Sequence, residues 1–386
     1  MAKKLKVGIT QGDTNGVGAE IIVKTLAYEG ITDLFQPVVF MSESLMKDSI
    51  GRYIPEGLQY KVVKDASVVK DGEIALMDFP SACDSVNPGQ PTPESGLDAV
   101  RSLNEALKAL KEGKIDVLVT APISKENVQS AEFNFPGHTE FLEAQAGEGH
   151  KSLMILFAGD LRVALVTTHL PLSRISEEIN EEKIIETAEI FEKSLRMDFG
   201  IVRPKIALLS VNPHSGDGGL LGTEETEILR PALERLKEKG MLVFGPFAAD
   251  GFFGHADYLK YDGILAIYHD QGLAPFKVLS NGKGVNFTAG LPFVRTSPDH
   301  GTAFGIAGKG EADESSFKEA IYNAIDIFRR RNQYLESSAH PLPQYAQNRP
   351  DREERTDNGP RHQPDHSNHV SHQAHNQNNN HKEEQE

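Results

Sequence analysis

Histidine, lysine, arginine and aspartate recur in this chain at intervals that suit metal binding and the handling of a small anion. Three runs of β-forming residues, 162–169, 205–214 and 262–269, each end on an imidazole: His169, His214 and His269. In an open α/β sheet, ligands gather outside the carboxyl ends of the strands. Three histidines delivered there would supply three neutral ligands and leave a divalent cation open to substrate. For any one of them, a polar residue ending a strand is the blander reading. Three in one setting point to a metal-assisted site in an α/β enzyme.

Other groups could handle an anion. Gly137-His138-Thr139-Glu140-Phe141 places two hydrogen-bond donors before helix-like sequence, where free backbone N–H groups favour phosphate or carboxylate. Thr120-Ala121-Pro122-Ile123-Ser124-Lys125 brings a cation to the end of a strand. Past His269 the polar groups are dense: Asp270, Gln271, Lys277, Asn286, Arg295, Asp299 and His300. The intervening Gly272-Leu273-Ala274-Pro275 and Thr288-Ala289-Gly290-Leu291-Pro292-Phe293 read as too irregular for a helix. A loop-rich substrate cradle fits this stretch, with a charged surface loop as the alternative. The early turn Gly12-Asp13-Thr14-Asn15-Gly16-Val17-Gly18 is a weaker signal and lacks the G-x-G-x-x-G spacing of a Rossmann dinucleotide site.

The elements that must position these groups alternate between strand and helix, the pattern of a sheet with crossover helices. Residues 6–10 read as a first strand, followed by a helix from about Ala19; residues 38–41 and 115–120 read as further strands. Leu97, Val100, Leu103, Leu107 and Leu110 recur at helical spacing, and Gly113 stands where a helix-ending glycine belongs. Asn180, Thr223 and Ser315 or Ser316 are candidate helix caps.

Composition bounds the class. The formal net charge of −16 argues against a nucleic-acid or anionic-membrane partner. Cys83 is the only cysteine, which excludes an intrachain disulfide and suits a reducing cytoplasm. No signal peptide is expected, because Met1-Ala2-Lys3-Lys4-Leu5-Lys6 lacks an apolar core, and no membrane span, because Asp160 and Arg162 break the longest apolar run. From about Ser337 the chain is Asn, Gln, His, Pro and charged residues, expected to be a disordered tail over 337–386. The preceding body is long enough for two domains, and no Pro- or Ser-rich linker separates them.

Taken together, five segments resemble the 4-hydroxythreonine-4-phosphate dehydrogenase family of vitamin B6 biosynthesis. They are Gly137-His138-Thr139-Glu140, Thr167-Thr168-His169-Leu170-Pro171-Leu172, Asn212-Pro213-His214-Ser215-Gly216-Asp217-Gly218-Gly219, Tyr268-His269-Asp270-Gln271-Gly272 and Arg295-Thr296-Ser297-Pro298-Asp299-His300-Gly301-Thr302-Ala303. The resemblance implies an isocitrate-dehydrogenase-like fold of two α/β/α domains with a cleft between them. One domain would combine 1–124 with 290–336, and the other, carrying the dimer interface, would span 125–289. It implies a homodimer whose active sites lie at the interface, with His169, His214 and His269 sharing one divalent metal (zinc, magnesium or cobalt). His138, Thr139, Lys277, Asn286 and Arg295 would bind substrate, and His300, Gly301, Thr302 and Ala303 would lie against NAD or NADP. The first glycine loop departs from the family pattern, which usually has Pro-Ala after Gly-Asp.

The family reaction oxidises the secondary alcohol of 4-phosphooxy-L-threonine, and the β-keto acid formed loses carbon dioxide to give 3-amino-2-oxopropyl phosphate. Asp270 is the candidate base, with Lys277 or Asp250 as substitutes. Rival readings are a dehydrogenase of 4-phospho-threonate or 4-phospho-erythronate, a phosphate acyltransferase of the same architecture, and a metal-storage protein drawing on the His-rich tail.

Overall fold

Short strands with two apolar faces require cover on both sides, and that requirement sets the architecture. The computed structural model describes residues 4–129 and 133–339, and among these twelve strands form one sheet. The strands are β1 (Lys6–Thr10), β2 (Gln36–Phe40), β3 (Lys61–Val63), β4 (Ala75–Met77), β5 (Val117–Thr120), β6 (Leu153–Ala158), β7 (Leu161–Leu165), β8 (Lys205–Leu209), β9 (Leu242–Phe247), β10 (Gly263–Ala266), β11 (Val285–Ala289) and β12 (Arg295–Pro298). Their order across the sheet is β3-β4-β2-β1-β5-β12-β11-β6-β7-β10-β8-β9. The helices of nine or more residues are α1 (Gly18–Leu26), α2 (Glu43–Tyr53), α3 (Pro93–Lys111), α4 (His138–Ala146), α5 (Glu181–Met197), α6 (Arg230–Glu238), α7 (His269–Ser280) and α8 (Ser315–Ala339).

From β3 to β12 all neighbours are parallel. Three antiparallel pairings follow, β12 with β11, β11 with β6 and β6 with β7. The strands β7, β10, β8 and β9 are then parallel to one another but run against the first half. The reversal means that the carboxyl end of β5, where Thr120 lies, and those of β7, β8 and β10, which the histidines follow, point to opposite edges of the sheet.

The period-two alternation assigns each face its own core. Val7, Ile9, Val117, Val119, Ile155, Phe157, Ile206, Leu208 and Leu265 join one cluster under α1, α5 and α8. Their neighbours in sequence, Val38, Phe40 and Leu118, face the opposite side, under α3 and α4. In the second half Leu156, Val163, Leu165, Ala207 and Ile264 take that side, under α7. Three layers result, the mixed α/β class expected from the alternation.

Local sequence explains the helix boundaries. α3 begins four residues before Leu97, at Pro93, because Thr92 and Ser95 form a reciprocal capping box. It ends at Gly113 in the left-handed conformation (φ 68°). Asn180 caps α5, its Oδ1 accepting from Lys183 N at 2.8 Å. Thr223 contributes its backbone oxygen, not its side chain: Thr223 O accepts from Thr226 N and Glu227 N, and a wide turn over Glu225–Leu229 leads into α6.

Two expectations are corrected. Gly272-Leu273-Ala274-Pro275 is helical, within α7. Leu273 and Phe276 anchor that helix in the core, and the glycine lets it approach the sheet: a Cβ at Gly272 would lie 2.8 Å from Val163 Cγ1 and 2.9 Å from Ala266 Cβ. Pro275 costs one backbone hydrogen bond, which that packing offsets. Residues 337–339, expected in the tail, complete α8. The rest of the tail, with its seven histidines, lies outside the described residues. Among the described residues no helix is long and apolar enough to cross a membrane.

Candidate active site

Where the two halves of the sheet meet, a cavity of about 400 Å³ opens between α4 and α7. Its size suits one small metabolite. β5, β6, β11 and β12 form its floor, so strand residues and helix ends contribute to it together.

Arg295, the first residue of β12, is 2% exposed and lines the cavity. Its Nε and Nη2 donate to Thr120 Oγ1 at 3.0 and 2.5 Å, and its Nη1 donates to Thr288 Oγ1 at 3.1 Å. Burial pushes the guanidinium down to about 9, partly countered by the field of Glu140, so it stays charged at neutral pH. Among the described residues it has no ion-pair partner. Such a charge is costly to bury unless a ligand completes it.

His138 and Thr139 open α4 and line the same cavity. Burial, then the fields of Arg295 and Lys125, hold the His138 imidazole well below its usual pKa, so the ring is neutral at pH 7. Its Nε2 is buried without a partner among the described residues. Asn286 Oδ1, on β11, is in the same condition. Lys277, two turns into α7, donates from Nζ to Asp299 O at 2.8 Å, which fixes its ammonium at the cavity wall. His300 Nδ1 donates to Gly301 O at 3.0 Å, leaving its buried Nε2 as a bare acceptor. The wall therefore offers cations and hydroxyls to anions, and Asn286 Oδ1 and His300 Nε2 to a hydrogen-bond donor.

At one end of the cavity His169 and His269 lie with ring centroids 5.9 Å apart. His269 Nδ1 donates to Asp270 Oδ1 at 2.7 Å, which turns its Nε2 free. Lys125 Nζ donates to His169 Nε2 at 3.1 Å, so an ammonium occupies the place a metal ion would take on that lone pair. Burial and Lys125 lower the pKa of His169, favouring the neutral ring that ligates metals. This donor set fits a divalent cation, but two imidazoles leave it incomplete. Among the described residues no group of three His, Cys, Asp or Glu converges.

The remaining candidates lie apart from the cavity lining. His214 is exposed on a loop whose residues 214–218 all have positive φ. Glu225, buried and absent from the sequence expectations, fixes that loop by accepting from Val211 N and Asn212 N at 2.8 and 2.7 Å. Asp270 points to His269 instead of the cavity. Thr302 packs on the first glycine loop, where Val17 N donates to Thr302 O at 3.0 Å, and Ala303 O accepts from Ile306 N at 3.0 Å. The glycines of that loop serve close backbone approach: a Cβ at Gly18 would sit 2.4 Å from Gln11 O. Thr120 and Glu140, both cavity residues, were also missed. Both stand within motifs singled out in the sequence, but there Glu140 only follows the donors of His138 and Thr139, and Thr120 only ends the strand that leads to Lys125.

Fold and cavity together define an α/β enzyme that handles a small anionic metabolite. The chain belongs to the family of pyridoxal phosphate biosynthetic protein PdxA, whose family model matches residues 33–324. It is 49% identical over 353 residues to the 4-hydroxythreonine-4-phosphate dehydrogenase of Bacteroides thetaiotaomicron, covering 90% of this chain and 96% of that protein. A relative in Oceanobacillus iheyensis, provisionally named a D-threonate 4-phosphate dehydrogenase, is 38% identical over 331 residues, covering 85% of this chain and 99% of that one. The crystal structure of 4-hydroxythreonine-4-phosphate dehydrogenase from Klebsiella pneumoniae superimposes with a TM-score of 0.72 at 34% identity, covering 84% of this chain and all of that one.

Proposed function

We propose that the protein oxidises the secondary alcohol of 4-phosphooxy-L-threonine with NAD⁺ or NADP⁺, and that the resulting β-keto acid loses carbon dioxide to give 3-amino-2-oxopropyl phosphate. The observation that carries this reading is Arg295, a buried cation with no ion pair among the described residues, in a cavity shared with His138, Thr139, Lys277 and Asn286. A ligand with phosphate and carboxylate groups completes those charges. Of the relatives, the Bacteroides 4-hydroxythreonine-4-phosphate dehydrogenase, at 49% identity, favours the amino-acid substrate over the hydroxy analogue suggested by the Oceanobacillus protein.

Arg295, Lys277 and the donors of His138 and Thr139 hold and orient the anionic groups. Asp270, which holds the His269 tautomer through Nδ1, is the carboxylate that takes the hydroxyl proton, and Lys277, whose ammonium donates to Asp299 O, contributes its charge. When bound, a divalent cation (zinc, magnesium or cobalt) on His169, His269 and a third imidazole would lower the pKa of the alcohol, and the nicotinamide would accept the hydride. The third imidazole is His214 of a second copy in a homodimer, which its exposed, rigid loop supports. The nucleotide lies against His300, Gly301, Thr302 and Ala303. Within the body, 1–124 with 290–336 and 125–289 are two lobes, divided near the strand reversal, and the single cysteine supports a cytoplasmic setting.

The test is a coupled assay of purified protein with 4-phosphooxy-L-threonine, both nucleotides and a panel of divalent metals. Nicotinamide reduction with this substrate is the expected result. Reduction only with 4-phospho-D-threonate would move the assignment to the hydroxy acid.

A further inference from the structure

Arg331 and Arg295 are both buried, 6% and 2% exposed, yet they are held in opposite ways. Arg331 Nε donates to Asp198 Oδ1 at 2.7 Å, so its charge is neutralised within the core. Arg295 is hydrogen-bonded only to hydroxyls, and Glu140 acts on it through its field alone. Thr120 Oγ1 takes two of its N–H groups and Thr288 Oγ1 a third. A guanidinium carries five N–H donors, so one remains on each terminal nitrogen. Those two can meet two oxygens of a carboxylate or phosphate together.

The sheet register makes this arrangement possible. β12 lies parallel to β5 with Arg295 opposite Leu118 and Thr296 opposite Val119, so Thr120 stands one step further on. The arginine side chain reaches along the sheet to it, while Thr288 approaches from the antiparallel β11. Both threonines are fully buried, which holds the donor–acceptor geometry against competition from water.

We propose that Thr120 is a positioning residue: its hydroxyl orients Arg295 without cancelling its charge, keeping that charge for the anionic end of the substrate. Aspartate is close to threonine in size and would hold the same nitrogens, but as an internal counter-ion. The stability and the anion affinity of the protein should therefore separate at this position. This inference rests on placing Arg295 in the substrate site, so inorganic phosphate, which needs no turnover, serves as the probe.

The experiment compares Thr120→Asp, Thr120→Val and Thr120→Ser in the full chain by thermal melting, phosphate titration and steady-state kinetics. Thr120→Asp should melt at or above the wild-type temperature yet bind phosphate about 30-fold more weakly or worse. Thr120→Val should bind phosphate roughly tenfold more weakly and raise KM about tenfold, with kcat little changed, and Thr120→Ser should restore both. Wild-type phosphate affinity in Thr120→Asp overturns the proposal. If that variant does not fold, wild-type affinity in Thr120→Val does so instead. Phosphate binding that depends on Thr120 in a protein inactive on 4-phosphooxy-L-threonine would leave the proposal standing and remove only the substrate assignment.

Discussion

Replacing Arg295 with methionine should separate ligand binding from stability. Burial that lowers the guanidinium to about 9, against an ordinary value near 12.5, corresponds to roughly 5 kcal/mol of unfavourable desolvation. Three hydrogen bonds from a charged donor to Thr120 and Thr288 return roughly 1.5–3 kcal/mol each. Methionine forfeits those bonds, but it also removes the desolvation cost and buries an apolar chain, contributing roughly 2 kcal/mol. The opposing contributions nearly cancel, so the ligand-free variant should lie within about 2 kcal/mol of the wild type. Breaking a buried ion pair, by contrast, costs about 3–5 kcal/mol.

Substrate binding has no such compensation. Losing one partner of a buried, charge-assisted contact costs about 2–5 kcal/mol, which is roughly 30-fold to several-thousand-fold in KM. Urea unfolding without ligand gives the first quantity and steady-state kinetics the second. Added phosphate should raise the melting temperature of the wild type and not of the variant. A variant that loses more than about 4 kcal/mol while KM stays within about threefold would refute the reasoning and make Arg295 a structural strut.

Other expectations follow from the same geometry. If His214 of a second copy completes the metal site, His169→Ala and His214→Ala should each abolish metal content and turnover. Refolding the two together should restore roughly a quarter of the activity, because each mixed dimer regains one intact site; no recovery would place the three histidines within one chain. The folded-state pKa of His138 is depressed, so below 6.5 the unfolded chain takes up a proton that the native chain refuses. The resulting loss of stability as pH falls should flatten in His138→Gln, and superimposable melting profiles between about pH 5 and 8 would contradict it. Asp198→Asn should cost about 3–5 kcal/mol in urea unfolding by leaving Arg331 buried without its carboxylate, and adding Arg331→Met should restore much of that loss. Removing residues 340–386 should leave kcat/KM unchanged; a loss of activity would give the tail a catalytic role.

What the sequence disclosed about the fold depended on whether the information was local. Period-two strands, the Asn180 cap and the terminal glycine of α3 are local, and they appear within a few residues of where the pattern predicts them. The helix through Gly272 and Pro275 was not legible, because its stability comes from Leu273 and Phe276 packing on strands far away in the chain. Nor was the reversal of strand direction after β12, since parallel and antiparallel partners leave the same alternation in a single strand. The site divides along the same line. His138, Thr139, Lys277, Asn286, Arg295, His169, His269, His300 and Gly301 are chemically conspicuous, and the structure brings them to one cavity.

Thr120 was inconspicuous because its role exists only through Arg295, 175 residues away in sequence. In Arg331 and Asp198 the chain has a buried arginine with an acid supplied, and in Arg295 one with hydroxyls alone. A fold selected only for stability has no reason to leave the second charge without a direct ion pair, with only the field of Glu140 against its burial. The difference between these two arginines is therefore what supports the proposed role of Arg295: the direct ion pair it lacks is the contact that an anionic substrate would bring.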